Sequence, residues 1–317
     1  MIRVAIGTAS VLGLTNIKMS AYPTTAHLMT PGKCKFSCKF CTQSNSSTAD
    51  DKLLSRISWP EHESEKVLTA LQNKQDRFQR VCLQVVHSNG PEDFLRYVKE
   101  IRKRCDIPLS VDLKADDMAT IRRTFEAGAD VVGLPIDAAN KEVFAEVKEG
   151  SFLEQLDLIK KAASEFEGKI STHLIIGLGE TEKDAVELMN KMHEDGVVLA
   201  LFAFTPIKGT ALENKKRPSI EHYRRIQAAR FLIYNDFAPN FKFDEKERIA
   251  GFGISSDELS NRLKPSAFQT TGCLGCNRPF YNESPGKVLY NYPYVPSQEE
   301  FNTAFSASVI GLVEDDG

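Results

Sequence analysis

Short apolar runs alternate along this chain with longer stretches in which apolar residues recur at helical spacing. Short runs signal strands, and recurrence at i, i+3, i+4 and i+7 signals one face of a helix. The runs at 25–29, 80–86, 109–113, 131–136, 170–176, 198–204, 241–244 and 267–271 are expected strands. The amphipathic stretches 61–71, 91–104, 118–127, 152–166, 182–194 and 220–234 are expected helices between them. Start signals agree: Pro91-Glu-Asp opens one helix, and Thr181 followed by Asp184 opens another. Strands separated by helices imply βα units and a parallel sheet. The fold class is therefore α/β, and this number of units favours a closed (β/α)8-like TIM barrel over an open sheet. Residues 1–24 then form an N-terminal strand-rich cap, 25–272 the barrel, and 273–317 a C-terminal extension. No internal repeat, long linker or low-complexity segment interrupts the pattern, and Glu314-Asp-Asp-Gly317 is expected to fray.

Composition narrows the function classes. At 317 residues, one large α/β domain is the default. Hydrophobic content of 42% and charged content of 26% are those of a soluble globular protein. A net charge of −3 argues against nucleic acid, whose binders carry a basic excess. No run of 18 apolar residues is present to span a membrane. The opening Val4 to Leu14 stretch faintly suggests a signal peptide, but Gly, Thr and Ser interrupt it and no convincing cleavage site follows. The expected location is cytoplasmic. Seven cysteines in such a chain point to metal or redox chemistry rather than to disulfides.

Three of them, Cys34, Cys38 and Cys41, fall in one short loop straight after the first expected barrel strand. In such barrels the chemistry sits on the loops at the C-terminal ends of the strands. A four-iron, four-sulfur cube normally takes one thiolate per iron corner, so three thiolates hold three corners and leave one iron open to a substrate. Structural zinc with a fourth ligand is the alternative. His27 is near in sequence, but on a strand over 25–29 it is expected to point away. A disulfide with one free thiol fits poorly with a chain that is not secreted.

Other polar residues at strand ends become candidates by position. The turn Ile175-Ile-Gly-Leu-Gly-Glu-Thr181 closes one strand and opens a helix. Gly177 and Gly179 let backbone approach a ligand, and the helix N-terminus offers free N–H groups. Asp137 ends the strand over 131–136, where it either binds a ligand hydroxyl or caps the next helix. Cys82 shares a strand face with Gln84 and is either a ligand or buried core. Cys273 and Cys276 form a Cys-x2-Cys turn, a half-site for iron–sulfur or zinc, or a redox dithiol. Barrel geometry is expected to put that turn on the same face as the first cysteine loop. Cys105 ends a helix on the opposite side and is read as structural.

The Cys-x3-Cys-x2-Cys spacing, with Phe40 just before the last cysteine, resembles the signature loop of the radical S-adenosylmethionine (SAM) enzymes. That resemblance implies a radical SAM barrel with a [4Fe-4S] cluster on Cys34, Cys38 and Cys41. The open iron would chelate SAM, whose cleavage yields a 5'-deoxyadenosyl radical. The turn over 175–181 resembles the family's fifth-strand adenine motif, with Glu180 orienting the turn or reaching SAM. Asp137 looks like the ribose-binding Asp of biotin synthases, although Pro135 replaces a neighbouring Asn and the ribose contacts do not carry over whole. Leu83-Gln-Val-Val-His-Ser-Asn-Gly90 stands where many members have Gly-Gly-Glu, and biotin synthase also lacks that triplet. Pro206-Ile-Lys-Gly-Thr-Ala211 resembles the Lys-Gly-Thr-Pro of the same branch. Phe40, Gln84, Asp137, Gly177, Gly179, Glu180 and Lys208 are thus the expected cofactor-binding residues.

Biotin synthase carries a ligand to its second cluster on the strand that here holds Cys82. With Cys273 and Cys276 this resemblance implies an auxiliary [4Fe-4S] cluster whose fourth ligand is not evident. The sequence from Cys276-Asn-Arg-Pro through Leu289-Tyr-Asn-Tyr-Pro293 resembles the two-component lipoyl synthases. The implied activity is sulfur insertion at C6 or C8 of a protein-bound octanoyl chain, with the auxiliary cluster as the sulfur source. The implied partners are an octanoylated lipoyl-carrier protein, a second radical SAM component and a low-potential electron donor. Biotin synthase, or another radical SAM sulfurtransferase or cyclase on a small substrate, is the alternative. A non-catalytic zinc or redox-binding protein is the alternative from another class.

Overall fold

A computed structural model describes residues 1–312 apart from 89, 238–239 and 284–285, so the expected fraying of 314–317 lies outside the described residues. The chain opens with β1 (Ile2–Val4), α1 (Ile6–Leu12) and β2 (Thr25–Met29). Three short strands follow, β3 (Leu53–Leu54), β4 (Ile57–Ser58) and β5 (Glu61–His62), before α2 (Ser64–Lys74). Then come the βα units: β6 (Arg80–Gln84) and α3 (Pro91–Arg104), β7 (Leu109–Asp112) and α4 (Met118–Glu126), and β8 (Val131–Gly133) with α5 (Lys141–Val147) and α6 (Phe152–Glu165). The units β9 (Ile170–Ile176) with α7 (Glu182–Glu194) and β10 (Val198–Ala203) with α8 (Ile220–Ile233) complete the series. A hairpin of β11 (Lys242–Phe243) and β12 (Ile249–Gly251), then α9 (Ser256–Arg262) and α10 (Gln298–Val309), ends the fold.

Strands β2, β6, β7, β8, β9 and β10 pair in parallel in that order, and β1 and β5 extend the β2 edge antiparallel. This is the α/β fold with a mostly parallel central sheet that the pattern predicts. Four expected elements differ. The stretch 241–244 forms the small hairpin instead of a barrel strand, and 267–271 supplies the end of a 3-10 turn and one isolated bridge from Gln269 to Tyr292. The N-terminal cap is one short strand and a helix closed by Gly13 in the left-handed conformation, rather than strand-rich. Glu61 and His62, expected to begin a helix, pair with β1 as β5.

Strand alternation sorts the chemistry. Positions facing the helices carry Ala26, Leu28, Val81, Leu83, Leu109, Val111, Leu174, Ile176, Leu199 and Leu201, all in the main apolar core. The alternate positions Thr25, His27, Arg80, Cys82, Gln84, Ser110, Asp112, Ser171 and His173 line an internal chamber of about 190 Å³. A TIM-barrel interior is ordinarily filled by branched apolar side chains. Here its polar lining cannot serve as packing, which marks the interior as a site. Gly133 is required by this arrangement: a Cβ there would lie 1.8 Å from the Asp112 Oδ1.

Between β10 and β2 the C-terminal segment bridges the sheet without a ladder. Thr271 accepts from Leu201 N (2.9 Å), and Asn282 donates to Ala203 O (2.7 Å). At the other side Thr24 donates from its backbone to Asn277 Oδ1 (2.9 Å) and from its hydroxyl to Gly275 O (2.5 Å). Side chains thus satisfy edge groups that further strands would otherwise pair.

Candidate functional site

The first cysteine loop is held by groups other than its cysteines. Arg3, from β1, donates to Gln43 Oε1 (2.6 Å) and Gly32 O (2.9 Å). Gln43 in turn donates to Asp51 O and Leu53 O, and its carbonyl accepts from Cys34 N (3.1 Å). Lys39 N bonds Val147 O (2.9 Å) and Cys41 N bonds Cys38 O (3.1 Å), so the loop is shaped before any metal arrives. Burial raises the Cys38 thiol to about 11, with Asp137 and Cys34 adding to it and Lys148 opposing it. Burial likewise raises Cys41 to about 12. Such thiols keep their protons at neutral pH until a metal displaces them. Cys41 and Phe40 line the chamber.

Asp137 is not a helix cap; Asn140 caps α5 by accepting from Val143 N (2.8 Å). Asp137 has a positive φ of 62° and is pinned by backbone bonds to His173 O and from Ile175 N. Its carboxylate lines the chamber and pairs with buried Lys148 at 2.7 Å. Lys148 also donates to Pro135 O (2.7 Å), so Pro135 helps to place the pair.

The glycine turn differs from expectation. Glu180 folds back and accepts from the backbone N–H groups of Gly177, Leu178 and Gly179 at 2.5, 3.0 and 3.0 Å. The N–H groups of the glycine turn are therefore taken by the chain's own carboxylate, and Glu180 orients the turn; at the helix N-terminus Lys183 N donates to Glu247 O (3.1 Å) and Asp184 N to Thr181 Oγ1 (3.2 Å). Burial raises the pKa of Glu180, and backbone N–H groups, those of Gly177 and Gly179 among them, together with His222 oppose that rise. Lys208 is exposed and stands outside the chamber lining. In its motif Gly209 matters instead: its carbonyl accepts from Thr48 N (2.8 Å), and a Cβ would meet Ala49 N at 2.4 Å.

The second cysteine set lies elsewhere than expected. Arg80 donates to Leu274 O (2.8 Å) and Thr24 to Gly275 O, so the Cys-x2-Cys turn sits by the N-terminal ends of β2 and β6. That is the end of the chamber opposite the first loop, not the same face. Cys82, Cys273 and Cys276 all line the chamber there. Cys82 donates to Asp112 Oδ2 (3.2 Å), and Gln84 donates to both Cys82 and Asp112, which occupies the amide expected to reach SAM. Ser110 donates to Cys273 Sγ (3.5 Å). Burial raises Cys82 well above its ordinary value and also raises Cys273. Burial opposes ionisation of Cys276 too, but Arg278, His27 and Thr25 outweigh it and bring that thiol to about 6. Cys105 is buried in the main core and lies outside the chamber lining.

The donors of both sets are thiols, the groups that iron–sulfur clusters take. Among the described residues no three His, Cys, Asp or Glu side chains lie close enough to share one metal ion, as structural zinc demands. Several buried atoms without a partner belong to chamber-lining residues: His27 Nδ1, Trp59 Nε1, Ser171 Oγ and Tyr281 OH. Each such group costs about 1–3 kcal/mol left unmet, which fits a space built around a polar guest. Sequence reasoning did not single out Asp112, His173, Arg278 or Tyr281. Counting inward from Gln84 and Cys82 by twos along neighbouring strands would have found Asp112 and His173.

The fold is a mostly parallel α/β sheet around a polar chamber with two cysteine sets, and the family follows from comparison. The family model of the Radical SAM superfamily matches residues 29–192, and the chain belongs to that superfamily. Membership implies a [4Fe-4S] cluster and SAM. An uncharacterized protein of Methanocaldococcus jannaschii is 26% identical over 173 residues, 53% of this chain and 46% of that protein. Biotin synthase of Acinetobacter baumannii is 26% identical over 219 residues, 65% of this chain and 63% of that enzyme. The chain thus spans less than two thirds of the length of these two relatives. The crystal structure of methylornithine synthase (PylB) superposes with a TM-score of 0.52 at 17% identity, covering 89% of this chain and 80% of that one. At that identity the likeness is one of fold. Among the described residues no helix is long and apolar enough to cross a membrane.

Proposed function

We propose that this chain is a radical SAM sulfur-insertion enzyme, one component of a lipoyl synthase acting at C6 or C8 of a protein-bound octanoyl chain. The observation that carries the reading is that Cys41 and the set Cys82, Cys273 and Cys276 line one chamber. Cys34, Cys38 and Cys41 would hold the [4Fe-4S] cluster, and the second set an auxiliary one consumed as the sulfur source. When bound, the first cluster and SAM supply a 5'-deoxyadenosyl radical that takes a hydrogen from an unactivated carbon. The protein's part is positioning and exclusion of water. Trp59, Ile175, Phe202 and Phe204 give the chamber apolar wall between its polar groups, which suits an alkyl chain. Asp137 presents a carboxylate oriented by Lys148 for the ribose hydroxyls. An octanoylated carrier protein, a second radical SAM component and a low-potential electron donor complete the reaction.

The similarity to biotin synthases favours a second reading, sulfur insertion into a small substrate such as dethiobiotin. Product analysis separates the two. Reduced protein with SAM and octanoylated carrier protein is expected to yield a thiolated acyl chain, detected by mass spectrometry as added sulfur. Sulfur added to dethiobiotin instead selects the second reading, and sulfur on neither rejects both.

Asp137 tests the SAM assignment. Asp137→Ala would strand Lys148 as a buried unpaired cation, at a cost of about 3–5 kcal/mol to the fold. Asp137→Asn keeps the shape and is the better variant. Its SAM affinity is expected to fall by about 1–3 kcal/mol, with iron content unchanged, in equilibrium binding. Unchanged affinity would leave Asp137 as the partner of Lys148 alone.

A further inference from the structure

We propose that the acyl chain enters the chamber sideways, through an apolar cleft between α1 and residues 279–281, with Tyr281 as the movable part of the wall. The inference rests on the sulfur-insertion reading and names its substrate route. In that reading a cluster with SAM fills the Cys41 end of the chamber, and a second cluster fills the Cys273 and Cys276 end. The substrate must then reach the space between them from the side. From β2 through β6 to β10 the parallel ladder is continuous. Hydrogen-bonded strands about 4.8 Å apart leave no passage for a chain. The seam between β10 and β2 is different, because no ladder closes it. On that edge β1 pairs with β2 at Met29 and Leu28 and then leaves the sheet for α1. Beyond this point Ala5 N and Thr8 Oγ1 satisfy the His27 backbone at 3.1 and 3.0 Å, in place of a strand.

A cleft of about 470 Å³ lies along this edge, the size of a small-molecule pocket. Ile6, Ile17, Met19, Pro23, Ile57 and Phe280 give it apolar walls. His27 and Tyr281 line both the cleft and the chamber, so they form the partition between the two. The Tyr281 backbone is anchored, since its carbonyl accepts from Ser55 Oγ (3.1 Å). Its ring rests on His27 at 5.4 Å and on Trp59 at 6.3 Å between centroids, and its hydroxyl has no partner. Rotating that ring therefore opens the partition without breaking a hydrogen bond. Lys18 and Arg56 also line the cleft. Among the described residues neither lies within salt-bridge distance of a carboxylate, and Glu283 acts on Arg56 from farther away. Apolar walls beside two such cations fit an alkyl chain borne on an acidic protein surface, which commits the cleft to the carrier-bound acyl chain.

The test measures binding by the full chain with its clusters reconstituted anaerobically, using a fluorescein-labelled octanoyl-lysyl peptide and the octanoylated carrier protein. Ser20 lines the cleft and is exposed, so Ser20→Trp should narrow the mouth without disturbing the core. Circular dichroism and iron content check that the fold survives. Ser20→Trp is expected to weaken both probes about tenfold or more, the effect of displacing roughly two buried methylenes. Lys18→Glu is expected to weaken the carrier protein alone, with a difference that shrinks as salt rises. Unchanged affinities for Ser20→Trp and for a second plug, Ile17→Trp, overturn the cleft as the route. Free octanoate that binds more tightly than the peptide overturns the carrier-bound occupant. The reading beneath is tested separately by product: normal binding without sulfur on the acyl chain rejects sulfur insertion and leaves the cleft as an acyl-binding site.

Discussion

Replacing Cys273 or Cys276 by Ala should halve the iron content while leaving reductive cleavage of SAM intact. The two cysteine sets occupy opposite ends of the chamber and share no ligand, so losing one does not empty the other. The turn itself should survive, because Thr24, Arg80 and Asn277 hold it through backbone and side-chain bonds that do not involve sulfur. The radical would then form without a sulfur source, and 5'-deoxyadenosine would accumulate with no thiolated product. Iron assay, 5'-deoxyadenosine quantification and mass spectrometry of the acyl chain check this together. Cys105→Ala should change neither iron nor product, since that thiol is buried in the core behind the sheet. A Cys273 variant that retains about eight irons per chain and makes thiolated product would reduce the Cys-x2-Cys turn to structure.

Replacing Cys34, Cys38 or Cys41 by Ala should abolish 5'-deoxyadenosine formation altogether. Each substitution removes a corner ligand, and a cube on two protein thiolates is labile. The loss is expected without unfolding. Arg3, Gln43 and Val147 fix the loop through bonds to oxygen and backbone that do not involve the cysteine sulfurs. Circular dichroism alongside the cleavage assay separates the two effects. Normal yield from any of the three would contradict the cluster assignment.

Much of the barrel was legible because its units are local. The spans Thr25–Met29, Ile170–Ile176, Pro91–Arg104 and Glu182–Glu194 fall where periodicity, Pro91 and the Thr181–Asp184 capping box place them. The misreadings came where one pattern fits two outcomes. The apolar and small residues of 4–14 suit either period, and a short helix closed by Gly13 resulted. The stretch 267–271 has the composition of a strand but meets no neighbouring strand, because the C-terminal segment reaches β10 and β2 through side chains. Local sequence does not say which partner will be there.

The sequence by itself determined the chemistry available: three thiolates in one loop, a Cys-x2-Cys turn, and strands whose alternate positions are polar. These are properties of spacing, and spacing survives any arrangement of the units. Only the tertiary structure decided where the donors meet. It carried the Cys-x2-Cys turn to the far end of the chamber, turned His27 towards Cys276 and returned Glu180 to its own turn. Each of these depends on contacts between segments far apart in the chain. Pairing and packing choose among them by which buried polar groups can be satisfied together, a condition that no single segment contains.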